Sequence, residues 1–71
     1  MYTMDEMYAV FHRHPRILSS ASRSFVWLYE TYLQVAESFG ENSPHANAWH
    51  RLAVESASNT LVQDFARRLM R

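Results

Sequence analysis

An apolar stripe with helical periodicity runs unbroken from residue 16 to residue 39, and it constrains the fold more than any other feature of the chain. At 100° per residue, its apolar side chains fall within about half of the helix circumference and its polar side chains fall opposite. Gly40, the one glycine, follows where a helix end favours a positive φ. Pro15 suits the first position of a helix, so the pattern predicts a long helix over 15–39.

A shorter amphipathic segment precedes this helix. Thr3 and Glu6 have the spacing of a capping box. The apolar residues that follow recur three and four positions apart, as one face of a helix requires. Pro15 disfavours helical geometry in the residue before it, so we expect this first helix to cover 4–13.

The third segment begins at Ser43 and Pro44, which suit the N-cap and first position of a helix. Its apolar phase slips around residues 53–57. We expect one continuous helix over 44–70, because neither glycine nor proline interrupts it. The alternative is a break near 56–59, with a new helix starting at Thr60.

Together these segments predict a single all-α domain over residues 1–71. The link between the second and third helices is short, so they should form a hairpin of two long antiparallel helices, with the short first helix added. A chain of 71 residues buries a marginal core. It contains no cysteine, which removes disulfides as a stabilising device. We therefore expect the hairpin to dimerise into a helical bundle.

Both tryptophans lie away from the expected apolar faces. Trp27 falls within the polar face of the second helix, and Trp49 lies off the main stripe of the third. Two interpretations are open. Another part of the monomer covers each ring, or the rings belong to a second interface, where tryptophan and arginine are enriched.

All seven basic residues are arginines, a bias consistent with a bacterial or phage genome rich in GC. The alternative is selection for forked, planar hydrogen-bond donors at an interface. Antiparallel pairing would gather six of them at one end of the hairpin. Those near helix C-termini complement the helix dipole, which needs no ligand to explain it. Arg16 and Arg23 lie near a helix N-terminus instead, which favours an anionic contact. The candidate partner-binding residues are Trp27, Trp49, Arg16, Arg23, Arg67, Arg68 and Arg71.

Catalysis and cofactor binding have little support in the sequence. The four histidines do not form the pair of a helical zinc site, and no glycine-rich loop could hold phosphates. We therefore expect no enzyme activity, no metal and no cofactor. The segment Met1–Glu6 carries acids where a signal peptide carries basic residues, and no apolar run reaches the ~20 residues of a membrane span. We expect a cytoplasmic protein without a membrane role.

These observations predict a small protein-binding module that acts as an adaptor, inhibitor or regulator of another protein. The partners would be another protein and a second copy of the chain in a homodimer. The alternative is a small nucleic-acid-binding transcriptional regulator that uses the arginine cluster. A near-neutral net charge makes it the weaker hypothesis, because phosphate binding usually accompanies a basic domain.

Overall fold

The computed structural model describes residues 1–70. Within that range the chain forms four helices and no strands, which confirms the all-helical class expected from the sequence. The helices are α1 (Met4–His12), α2 (Ser20–Phe39), α3 (Pro44–Ala57) and α4 (Thr60–Leu69).

Side-chain caps define the N-terminal ends of α1 and α3. The Thr3 hydroxyl accepts from the Glu6 amide at 3.2 Å, and the Thr3 amide donates to the Glu6 carboxylate at 2.9 Å, which completes the capping box. Hydrogen bonding from Thr3 to the Glu6 carboxylate, chiefly from the Thr3 backbone amide, lowers the pKa of Glu6. The Ser43 hydroxyl accepts from the Ala46 amide at 3.1 Å, and Pro44 occupies the first turn of α3.

Helix α2 begins at Ser20, five residues later than the sequence pattern suggested. Ser19 is its N-cap, and its hydroxyl accepts from the Ser22 amide at 3.2 Å. Residues 13–17 form turns instead, in which the His14 amide donates to the Phe11 carbonyl at 3.0 Å. The seven-residue connection 13–19 gives the chain enough length to fold α1 back against α2.

The expected continuous helix over 44–70 is divided at Ser58 and Asn59, so the alternative with a break describes the structure. The Asn59 side chain accepts from the Leu61 amide at 2.8 Å and caps α4. The break also explains the slip in apolar phase. It allows Ala57 of α3 and Val62 of α4 to face the same core, which one straight helix would not permit.

Gln63 holds three parts of the chain together. Its side-chain oxygen, Oε1, accepts from the Tyr2 backbone amide at 2.8 Å, and its side-chain nitrogen, Nε2, donates to the Tyr2 backbone carbonyl at 3.0 Å. The same nitrogen donates to the Ala57 carbonyl at 2.9 Å, at the C-terminal end of α3. The side chain is buried, and these bonds satisfy both of its polar atoms. Gln63 thereby fixes the corner between α3 and α4 and secures the segment before α1.

The core lies where α1 crosses α2 and α4. Phe11 of α1 meets Phe25 of α2 edge to face, with ring centroids 6.0 Å apart, and contacts Phe65 of α4 at 6.1 Å. Phe11 and Phe25 are fully buried. The buried cluster comprises Met7, Val10, Phe11, Phe25, Tyr29, Ala57, Val62 and Ala66.

Two tyrosines fasten α1 to α2 beside this core. The Tyr29 hydroxyl donates to Asp5, and the Tyr8 hydroxyl donates to Glu30 at 2.9 Å, so each helix supplies one donor and one carboxylate. The two tyrosine rings stack with centroids 4.8 Å apart. Burial, followed by the bond to Asp5, raises the pKa of Tyr29 to about 12.

Helix α3 packs along α2. Phe39 near the end of α2 contacts His45 near the start of α3, and Tyr32 two turns earlier contacts His50. Ala46 and Ala53 are fully buried seven residues apart on α3. These small side chains let the two helix backbones approach closely.

We expect Gln63→Ala to destabilise the fold by about 1–3 kcal/mol, because the Tyr2 and Ala57 backbone groups would lose their partners in a buried site. Urea unfolding monitored by circular dichroism measures the loss. The exposed Gln34 offers a matched control, whose alanine variant should stay within about 0.5 kcal/mol of wild type. Equal stabilities of the two variants would contradict the role assigned to Gln63.

Stability should fall in alkaline solution through Tyr29. Its folded pKa lies above its ordinary value of 10.0, so its contribution is complete below pH 10.0 and is lost as the pH rises through about 12. The loss is at most about 3 kcal/mol. Denaturant titrations across this pH range measure it. The Tyr29→Phe variant should lack most of this alkaline loss, and an unchanged loss in that variant would contradict the assignment.

Candidate binding surfaces

Trp27 and Trp49 form a pair on the outside of the α2–α3 contact. Their rings meet edge to face, with centroids 5.6 Å apart. Trp27 is 59% exposed, while Trp49 is half-buried. The structure thus brings together the two tryptophans that the sequence singled out, and Trp27 remains largely in contact with solvent.

Helix α1 leaves this pair uncovered because it packs on the opposite side of α2. It contacts α2 through Tyr29 and Glu30. Trp27 precedes Tyr29 by two residues, which places it about 160° round the helix axis. Helix α1 therefore does not cover Trp27, which is 59% exposed.

Neighbouring residues extend the tryptophan pair into a larger surface. Arg23, Trp27 and Leu28 line a shallow cleft of about 450 Å³ along α2. Leu52 lies one turn after Trp49 on α3 and is 43% exposed. We call these residues, Arg23, Trp27, Leu28, Trp49 and Leu52, the tryptophan surface.

One polar group within this region is already satisfied inside the helix. The Thr31 hydroxyl donates to the Trp27 carbonyl at 2.7 Å. A partner that covers the tryptophan surface need not supply an acceptor for that donor, which lowers the cost of removing water there.

The predicted arginine cluster is divided between locations. Arg23 lies beside Trp27, whereas Arg16 lies in the turn between α1 and α2, next to Arg13 and Ile17. Arg67 forms an ion pair with Asp64 at 3.4 Å, one turn earlier on α4. The candidate Arg71 lies outside the described residues.

Arg68 lies at a second concave surface, between the start of α2 and the outer face of α4. This cleft has a volume of about 320 Å³, and we call it the α2–α4 cleft. The side chain of Leu61 in its wall is 67% exposed. Residues around it include Ser19, Ala21, Leu61, Asp64, Phe65 and Arg68.

Two residues of α4 lie where helical spacing alone does not put them. Periodicity in the third segment predicts Leu61 on the apolar face, but the break before α4 turns it outward. Periodicity predicts Gln63 on the polar face, yet its side chain is buried. Neither residue carries a local signal for its position, because the α3–α4 corner determines both.

Three of the four histidines take part in aromatic contacts. His12 stacks on Tyr8 with centroids 5.7 Å apart, His45 lies against Phe39, and His50 lies against Tyr32. Over residues 1–70, no group of three or more histidine or carboxylate residues is arranged to hold a metal ion. In the same span, no helix has the length and apolar character needed to cross a membrane.

Both surfaces combine exposed apolar side chains with arginine, a combination that suits contact with another macromolecule. Comparisons with protein-family models, curated proteins and solved structures found no match to this chain.

Proposed function

We propose that this chain is a small cytoplasmic protein-binding module, which acts as an adaptor, inhibitor or regulator by contacting another protein through the tryptophan surface. The main support is the position of Trp27, an indole that is 59% exposed and held against Trp49. Tryptophan and arginine are the side chains most often found at the energetic centre of protein interfaces.

The magnitude of this contact is consistent with a binding role. A tryptophan side chain can bury ~200 Å². Covering the exposed part of Trp27 would therefore contribute roughly 3 kcal/mol before other costs of association. Arg23, one turn earlier, can add charged hydrogen bonds at the rim. Trp49 packs edge to face on the Trp27 ring, and this contact would reduce the entropy lost on binding.

The α3–α4 break raises one point in favour of the alternative, nucleic-acid binding, because it resembles a helix-turn-helix connection. The first turns of such a second helix normally face the bases. In α4, these turns present Leu61 and Asp64, an apolar group and an acid. Arg67 and Arg68 come in its last turn, so we favour the protein partner.

Affinity capture followed by mass spectrometry should identify one protein whose binding persists at high salt. With that protein purified, Trp27→Ala should weaken binding roughly 30-fold, the effect of an interface hot spot. Phe39 is 62% exposed at the far end of α2, so Phe39→Ala is a matched control that should bind like wild type. Calorimetric titration with the purified partner measures the affinity of the wild type and of both variants.

Two outcomes would contradict this proposal. Equal weakening by the Trp27 and Phe39 variants would show that the tryptophan surface has no special role. Binding to unrelated DNA duplexes that falls steeply with salt, without a protein partner, would support the nucleic-acid alternative.

We also propose that a second copy of the chain binds the same surface, so that two α2–α3 pairs form a four-helix assembly. The C-terminal half of α2 packs on α3. The hydrogen bonds between α1 and α2 reach no further along α2 than Glu30. Leu33 and Leu52, on these two helices, are 42% and 43% exposed. Such exposed apolar area on a small protein favours association.

Light scattering should give twice the mass of one chain for the wild-type protein. Trp27→Arg should shift the population to monomer, because it places a charge in the interface, and Phe39→Arg should not. A wild-type monomer at every accessible concentration would contradict the dimer, while leaving the foreign protein partner to be tested separately.

A further inference from the structure

We propose that the α2–α4 cleft is a second docking site, which takes an acidic amphipathic helix from a partner protein. The apolar side chains of that helix would enter the cleft between Ala21, Leu61 and Phe65, and a carboxylate one turn further along would meet Arg68. This site is separate from the tryptophan surface and does not depend on the function proposed for it.

The apolar part of the site is formed by Leu61 and Phe65, one turn apart on α4, and by Ala21 across the cleft. Leu61 is 67% exposed, the highest value for a large apolar side chain within any of the four described helices. The cleft volume of about 320 Å³ can accept one or two apolar side chains. Helix-in-groove recognition uses such anchors at spacings of three or four residues.

The cleft is lined by one acid, Asp64, and one base, Arg68, and the pairing of the acid with Arg67 leaves Arg68 to favour an acidic partner. Arg67 is paired with Asp64, whereas Arg68 has no ion-pair partner among residues 1–70. The first turn of α2, which forms the opposite wall, carries no acidic residue. Arg16 lies in the preceding turn beside Ile17, which is 58% exposed, and these two residues line a separate cleft.

Spacing along α4 specifies the ligand further. Leu61 and Phe65 are four residues apart, and Arg68 follows three residues later, so the apolar anchors and the cation lie along about two turns. A complementary helix needs two apolar residues four apart and an acid three or four residues beyond them. Phosphate groups of a nucleic acid could meet Arg68, but they would leave the apolar wall exposed.

The test uses ¹⁵N-labelled protein titrated with alanine-based helical peptides. Two peptides are used, and each carries two leucines four residues apart. In one peptide a glutamate lies three residues from the leucine pair on its C-terminal side, and in the other it lies three residues away on the N-terminal side. We expect one orientation to give saturable shifts at residues 19–21 and 61–68. Arg68→Glu should weaken binding at least about tenfold, and Leu61→Ser should do the same.

Matched controls separate charge recognition from non-specific attraction. Arg51 is an exposed base on α3, away from the cleft, and Arg51→Glu should leave the peptide affinity unchanged. A peptide with lysine in place of glutamate should fail with wild type and regain binding to the Arg68→Glu variant. Trp27→Ala should retain peptide binding, which distinguishes this site from the tryptophan surface.

Several results would overturn the proposal. These are no shifts with either glutamate peptide, shifts centred outside the cleft, or equal affinity for the glutamate and lysine peptides. Shifts of the cleft residues by a DNA duplex, with none by the peptides, would assign the cleft to nucleic acid instead. The amide spectrum of each variant reports whether it remains folded.

Discussion

The amide group of Gln63 is the interaction on which the arrangement of these helices most depends. A hairpin of two helices has no internal means of directing a third and fourth helix across itself. The Gln63 side chain provides one by bonding to the backbone at Tyr2 and to the last turn of α3 at Ala57. With the α3–α4 corner held in this way, Val62 and Ala66 reach the core and Leu61 turns outward. The core and the α2–α4 cleft thus have a common origin.

The apolar residues on the two sides of α2 are covered to different extents. On one side, α1 covers the helix and adds two tyrosine–carboxylate bonds, which satisfy polar groups at the edge of the core. On the other side, Trp27 and Trp49 cover each other in part, and Trp27 stays 59% exposed. This asymmetry is the physical basis for proposing a partner there.

Sequence periodicity was sufficient to predict the helical class and the caps at Thr3 and Ser43, because both depend on residues close together in the chain. It also identified the two tryptophans as misplaced relative to their helix faces. Periodicity did not predict the helix boundaries that depend on contacts between residues far apart in the chain. Pro15 suits an early start for α2, yet the helix begins at Ser20 behind the Ser19 cap, and Phe11 packs on Phe25.

The α3–α4 corner shows the same limitation. No glycine or proline marks it, and its stability comes from Asn59 together with a glutamine that bonds to a residue 61 positions away. For the same reason, the sequence pattern predicts the positions of only some of the arginines. Arg68 lies beside the start of α2, but Arg23 belongs with Trp27 and Arg67 is engaged by Asp64.

The alanines buried in α3 have a consequence for the tryptophan surface. Ala53 is fully buried on α3, which packs mainly on α2, and it lies one turn after Trp49. The separation of the two helix axes, and hence the span between the indoles, is therefore governed by side chains that no partner can touch. A methyl group added at such a position would act as a wedge, spreading the helices at a cost of about 1–3 kcal/mol. Changes in the interior of this small protein can thus retune the shape of its exterior without altering any residue that a ligand meets.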